Sequence, residues 1–169
     1  MTTPEEDQAT MSGNVQGSNG SQPRVFTDPG ARFSLRIPED WLVDTFGQQG
    51  SSVILYHPRV GSDFRTNVNV LVQPLAPLST EEYLTLSRLQ IRKLTGFAEL
   101  PADAPAGGRA DAHVFEWMTN QAPTPVRVRQ LVVFSEESAF VISATASLEE
   151  FEAHRGAFDG IFDSFELGK

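Results

Sequence analysis

Cysteine is absent from the 169-residue sequence. Disulfide bridges, thiolate nucleophiles and thiolate metal sites are thereby excluded, and no disulfide framework reports an oxidising compartment. Basic residues are scarce: 13 Lys and Arg stand against 22 Asp and Glu, a formal net charge of −9. A polyanion is repelled by such a field unless a basic stripe overrides it, so nucleic acid is not an expected partner. No apolar run approaches the roughly 18 residues of a membrane span. The opening MTTPEEDQAT is acidic where a secretory leader is basic and then apolar. The sequence as it stands is expected to be cytosolic without membrane insertion; an export leader removed ahead of it would escape this reading.

A hydrophobic content of 40% over this length suits one core. Residues 1–24 hold only Met1, Met11 and Val15 as larger apolar side chains, set among Gly, Ser, Asn, Gln, Thr and Glu. Burial cannot offset the ordering entropy of such a stretch, so it is expected to be a disordered tail, with a tether or short partner motif as the functional alternative. Residues 25–169 are expected to form a single domain.

Phe33, Leu35 and Ile37 alternate with Ser34 and Arg36, the period of a half-buried strand, until Pro38 stops it. Ser52 to Tyr56 and the Val68, Val70, Val72 run before Pro74 predict two more strands. Ser79 followed by Glu82 is a capping box, with Leu78 placed to staple against Tyr83. It opens an amphipathic helix from about Thr80 to Leu94, whose stripe Tyr83, Leu84, Ile91 and Leu94 reads as core and not as a cofactor box.

A Pro/Ala/Gly loop over Pro101 to Gly108 precedes three strands, Ala110 to Trp117, Val126 to Phe134 and Phe140 to Ala146. Pairing Trp117 with Val126 would set Phe115 against Val128 on one face and Glu116 against Arg127 on the other. A second capping box, Ser147 with Glu150, predicts a helix burying Phe151, Phe158, Ile161 and Phe162, with His154 at the stripe's edge. Ser164 to Leu167 suits a last edge strand. Two principal helices and six to eight strands without βαβ alternation give an α+β fold, a mainly antiparallel sheet packed by helices.

Catalytic motifs are missing. His57, His113 and His154 fall on different elements without metal-ligand spacing, so no metal or cofactor is expected. No G-x-S-x-G elbow occurs, and Gly107-Gly108 lacks the lysine and serine of a phosphate-binding loop. No catalytic residue is therefore assigned. Arg127 and Arg129 alternate on one strand and are the candidate partner-binding residues; the alternative is that they pair with Glu116 and other neighbours on a solvated face.

The run Phe33-Ser34-Leu35-Arg36-Ile37-Pro38-Glu39-Asp40-Trp41 resembles the F-S-x-x-x-P-x-x-W opening of the PsbP-like and DcrB-like proteins. The similarity continues through Asn67-Val68-Asn69-Val70, the helix from Ser79 to Leu94, Gly108 before a strand, and Phe151, Phe158, Ile161 and Ser164-Phe165. The resemblance implies an α/β/α sandwich used by non-catalytic accessory proteins: extrinsic photosystem subunits, a small Ran-binding factor, bacterial lipoproteins and chaperone-like partners of secreted effectors. It carries no shared catalytic residues, and the lipidated cysteine of the lipoprotein branch is absent. The expected function is an adaptor or chaperone-like domain that binds another protein. The alternatives are a carrier with Trp41, Phe46 or Tyr56 lining an apolar pocket between sheet and helix, and an enzyme whose groups meet only in three dimensions. Neither the partner's identity nor the oligomeric state follows from the sequence.

Overall fold

A computed structural model describes residues 14–16, 24–59, 64–103, 109, 111–120 and 123–169. Strands β1 (Asn14–Gln16), β2 (Arg24–Thr27), β3 (Phe33–Ile37), β4 (Leu42–Asp44), β5 (Val53–Tyr56) and β6 (Asn67–Pro74) precede helix α1 (Thr80–Ile91). Then come β7 (Ala98–Leu100), β8 (Ala112–Thr119), β9 (Val126–Phe134), β10 (Ser138–Ser147), helix α2 (Phe151–Ser164) and β11 (Glu166–Leu167). The strands form a four-stranded sheet in the order β1-β2-β3-β11 and a seven-stranded sheet in the order β4-β5-β6-β10-β9-β8-β7. The pairings are antiparallel throughout.

Alternation along β10 divides the large sheet into two faces. Phe140, Ile142 and Ala144 point to the main core, where Phe26, Phe33 and Leu35 of the small sheet meet Phe151, Phe158 and Phe162 of α2. Ala139 and Val141 point the other way, toward Tyr83 of α1. The small sheet and α2 thus cover one face and α1 the other. Trp41 is buried in the main core, its ring edge-on to Phe158 at 6.5 Å between centroids.

The first capping box is present: the Glu82 N–H donates to Ser79 Oγ (3.1 Å), and the Ser79 N–H donates to Glu82 Oε2 (2.8 Å). Leu78 packs in the same cluster as Tyr83, as the staple requires. α1 stops at Ile91, short of the expected Leu94, because the Lys93 and Leu94 N–H groups bond three residues back to Gln90 and Ile91 and tighten the last turn. Gly96 then takes a positive φ of 69° and turns the chain into β7.

The second capping box does not form. Glu150 occupies the N-cap without a side-chain hydrogen bond. Ser147 is instead the last residue of β10, and its buried Oγ has no hydrogen-bond partner among the described residues. The strand runs one residue further than the pattern suggested, which carries the hydroxyl out of reach of the helix.

The β8–β9 register also differs from expectation. Trp117 stands opposite Val128, not Val126, and Glu116 stands opposite Arg129, with Arg127 on the neighbouring diagonal. The shift is two residues, an even number, so each side chain keeps its expected face. Within the segment expected to be a tail, Asn14–Gln16 pairs with Thr27, Phe26 and Val25 of β2. The rest of that segment, residues 1–13 and 17–23, lies outside the described residues, as do 104–108 of the expected loop and Ala110.

Candidate functional site

Glu116, Arg127 and Arg129 project from the face of β8–β9 that α2 covers. Glu152, Arg155 and Asp159 recur on α2 at spacings of three and four residues, which is one edge of the helix. Arg129 Nη1 lies 3.1 Å from Glu116 Oε2, Arg155 Nη2 lies 3.2 Å from Glu116 Oε1, and the Arg127 guanidinium closes tightly on the same carboxylate. Arg127 Nη1 and Arg155 Nε each reach Glu152 at 2.9 Å. Arg129 Nε approaches Asp159 Oδ1 at 3.3 Å, an ion pair whose angles are poor for a hydrogen bond. The guanidiniums of Arg127 and Arg155 also stack over the buried Phe151 ring, at 4.6 and 5.2 Å.

The arrangement sets three carboxylates against three guanidiniums, so its formal charge sums to zero. Neutrality is what lets Glu116, 1% exposed, stay buried, since an unpaired carboxylate there would cost several kcal/mol. The hydrogen bond from Arg155 holds the Glu152 carboxyl below its ordinary pKa, and the same bond raises Arg155 further. A guanidinium does not give up its proton near neutrality, so this cluster cannot shuttle protons. It is a clamp tying α2 to the β8–β9 hairpin.

The sequence reading paired Arg127 with Glu116 correctly and missed α2. The expected solvated face is a buried one: Arg129 is 2% exposed and out of a partner's reach in the folded chain, while Arg127 remains partly accessible. The i, i+3 pair Glu152 and Arg155, beside the apolar stripe of α2, was the available signal.

A second constellation was not foreseen. His57 follows β5 and His154 lies on α2, yet their rings meet at 4.6 Å between centroids. Trp41 backs His57 edge-on at 5.5 Å. The pair lines an open groove of about 680 Å³ together with Pro58, Arg59, Glu150 and Ala153. The Arg59 N–H donates to His57 Nδ1 (3.1 Å), which leaves the neutral ring's proton on Nε2. Burial first, and then the neighbouring His57, lower the pKa of His154, with Glu150 opposing. No group of three or more His, Cys, Asp or Glu suited to a metal is found among the described residues.

A cavity between α1 and the sheet, bounded by Leu84, Ile91, Phe115 and Val132, holds about 10 Å³, which is roughly one probe sphere and too small for an organic ligand. Trp41 is core and Phe46 is 70% exposed, so neither lines such a pocket. Leu42 and Phe46 instead stand outward, on and just beyond the edge strand β4 of the large sheet.

No protein-family model matches the chain, and no curated protein matches it in sequence. Solved structures do resemble it. LpqN of Mycobacterium tuberculosis, described as involved in cell envelope biogenesis, aligns over 89% of this chain and 88% of its own at 14% identity, with a TM-score of 0.63. The cyanobacterial PsbP of Synechocystis aligns over 91% of this chain and 98% of its own at 12% identity, with a TM-score of 0.61. The fold is PsbP-like. A Pseudomonas aeruginosa protein of unknown function shares it at a TM-score of 0.53 and 15% identity, over 74% of this chain and 84% of its own. At these identities the likeness establishes the PsbP-like fold alone, the α+β architecture of two helices on a mostly antiparallel sheet. Among the described residues of this PsbP-like chain, no helix is long and apolar enough to cross a membrane.

Proposed function

We propose that this chain is a non-catalytic accessory domain, adaptor or chaperone-like, that works by holding an extended segment of another protein. The observation that carries the reading is the β4 edge of the large sheet, whose other edge is β7. Among the described residues β4 pairs on one side only, and beside it Leu42 and Phe46 are 52% and 70% exposed. Unpaired backbone groups flanked by apolar side chains suit an added strand, with main-chain hydrogen bonds for affinity and the two side chains for selectivity. LpqN's described involvement in envelope biogenesis supports an accessory role by analogy.

The test is capture from lysate of the native cells by wild type and by a Leu42→Ser, Phe46→Ser variant, which both fold because the positions are exposed. A stoichiometric partner held by wild type and lost by the variant is the expected result. Equal recovery, or no partner at any salt, overturns the reading. A cytosolic location belongs to the same proposal; recovery of the chain in the envelope fraction overturns that part.

A second reading rests on the groove of His57, His154 and Glu150, where a shifted imidazole faces a carboxylate, the pattern of a site assembled in three dimensions. It requires cleavage of an activated ester such as p-nitrophenyl acetate faster than free imidazole at equal concentration, abolished by His154→Ala. A rate no greater than imidazole's removes it.

A further inference from the structure

The outer face of α1 carries two leucines placed symmetrically between opposite charges. Tyr83 is buried and Leu84 and Ile91 are partly buried toward the sheet, while Leu86 and Leu89 are 45% and 47% exposed. At about 100° per residue, Glu82, Leu86 and Leu89 share an arc of roughly 60° on the side away from the sheet, and Lys93 follows in the tightened turn just beyond the helix. All four are exposed. The midpoint between Leu86 and Leu89 is also the midpoint between Glu82 and Lys93, and between Thr85 and Gln90.

We propose that α1 is a self-association face on which a second copy of this chain docks antiparallel. A two-fold axis at that midpoint sets Leu86 against Leu89 of the second copy and Glu82 against its Lys93, and repeats both contacts by symmetry. Thr85 and Gln90 then face each other at the flanks. The charges needed are free to act. Glu82 uses Oε2 to accept from the Ser79 N–H (2.8 Å), leaving Oε1 for the lysine. Arg92 pairs with Glu99 at 3.6 Å and Arg88 stacks on Phe115 at 5.4 Å, so Lys93 is the outward cation of that turn.

This complementarity favours a second copy, because the acidic end of one helix meets the basic end of the other when the helix docks on itself reversed. The stripe is roughly 16 Å long, so it buries less than the ~1,200 Å² of lasting complexes and gives a weak, concentration-dependent dimer. The face lies on α1, away from β4, and does not depend on the partner reading above.

Sedimentation equilibrium of the purified full chain, 18.5 kDa as one copy, tests it without any other protein. The weight-average mass is expected to climb toward two copies as concentration rises to about 1 mM, and to stay at one copy for Leu86→Ser with Leu89→Ser. Lys93→Glu alone is expected to weaken the dimer roughly tenfold by facing glutamate with glutamate twice. Adding Glu82→Lys to it restores the pairs and the dimer, a rescue that loss of the capping box could not produce. A wild type that stays at one copy overturns the proposal. So does a dimer indifferent to the leucine changes, or one that the double charge exchange fails to restore; either result assigns the association to another surface.

Discussion

Glu116 and Arg129 stand directly opposite each other on β8 and β9, with Arg129 Nη1 3.1 Å from Glu116 Oε2 and both side chains all but sealed from water. The pair is stable because α2 adds Arg155 and Asp159 to it, so that no charge is left alone.

Removing one partner exposes that dependence. Glu116→Gln and Arg129→Ala are each expected to cost about 3–5 kcal/mol in denaturant melts, because a buried charge is left uncompensated. Replacing both, Glu116→Leu with Arg129→Met, is expected to cost much less than the sum of the single changes. Single variants that melt within 1 kcal/mol of wild type, the range of exposed pairs, would contradict the clamp.

The two serines that look alike in sequence part company in structure. Ser79→Ala removes a cap that holds the Glu82 N–H and is expected to cost about 1 kcal/mol. Ser147→Ala removes a buried hydroxyl that has no hydrogen-bond partner among the described residues and is expected to be neutral or stabilising. Thermal melts of the two variants decide it; equal losses would mean that Ser147 caps α2 after all.

His154 ties stability to pH. Its folded pKa lies below the ordinary 6.5, by burial first and by His57 second. On acidification below 6.5 the unfolded chain takes up a proton that the folded chain refuses. This contribution is therefore neutral above that value and destabilises progressively as pH falls toward the folded pKa. An NMR titration is expected to place the His154 midpoint below 6.5 and to show it rising in His57→Gln. A wild-type midpoint at or above 6.5 would contradict the packing of the two rings.

What could be read from sequence follows from how local each determinant is. The alternation of β3, the Ser79 and Glu82 box and the phenylalanine stripe of α2 are local patterns, and each produced its element. The short strands β2, β4 and β7 have no room to show a period, and their existence rests on neighbours far along the chain. The β8–β9 register slipped by two because valines at 126 and 128 fit opposite Trp117 equally well by type. The His57 and His154 pair was invisible for the same reason: only the main core, closing around Trp41, brings the end of β5 against α2.

The proposed role of the β4 edge is to hold another protein. Photo-crosslinking in the native cells, with the reactive side chain at Phe46 and a control at exposed Arg36 on the small sheet, tests it most directly. A single discrete protein adduct from position 46, absent from position 36, is the predicted result; no adduct at position 46, or the same adducts from both positions, would contradict it.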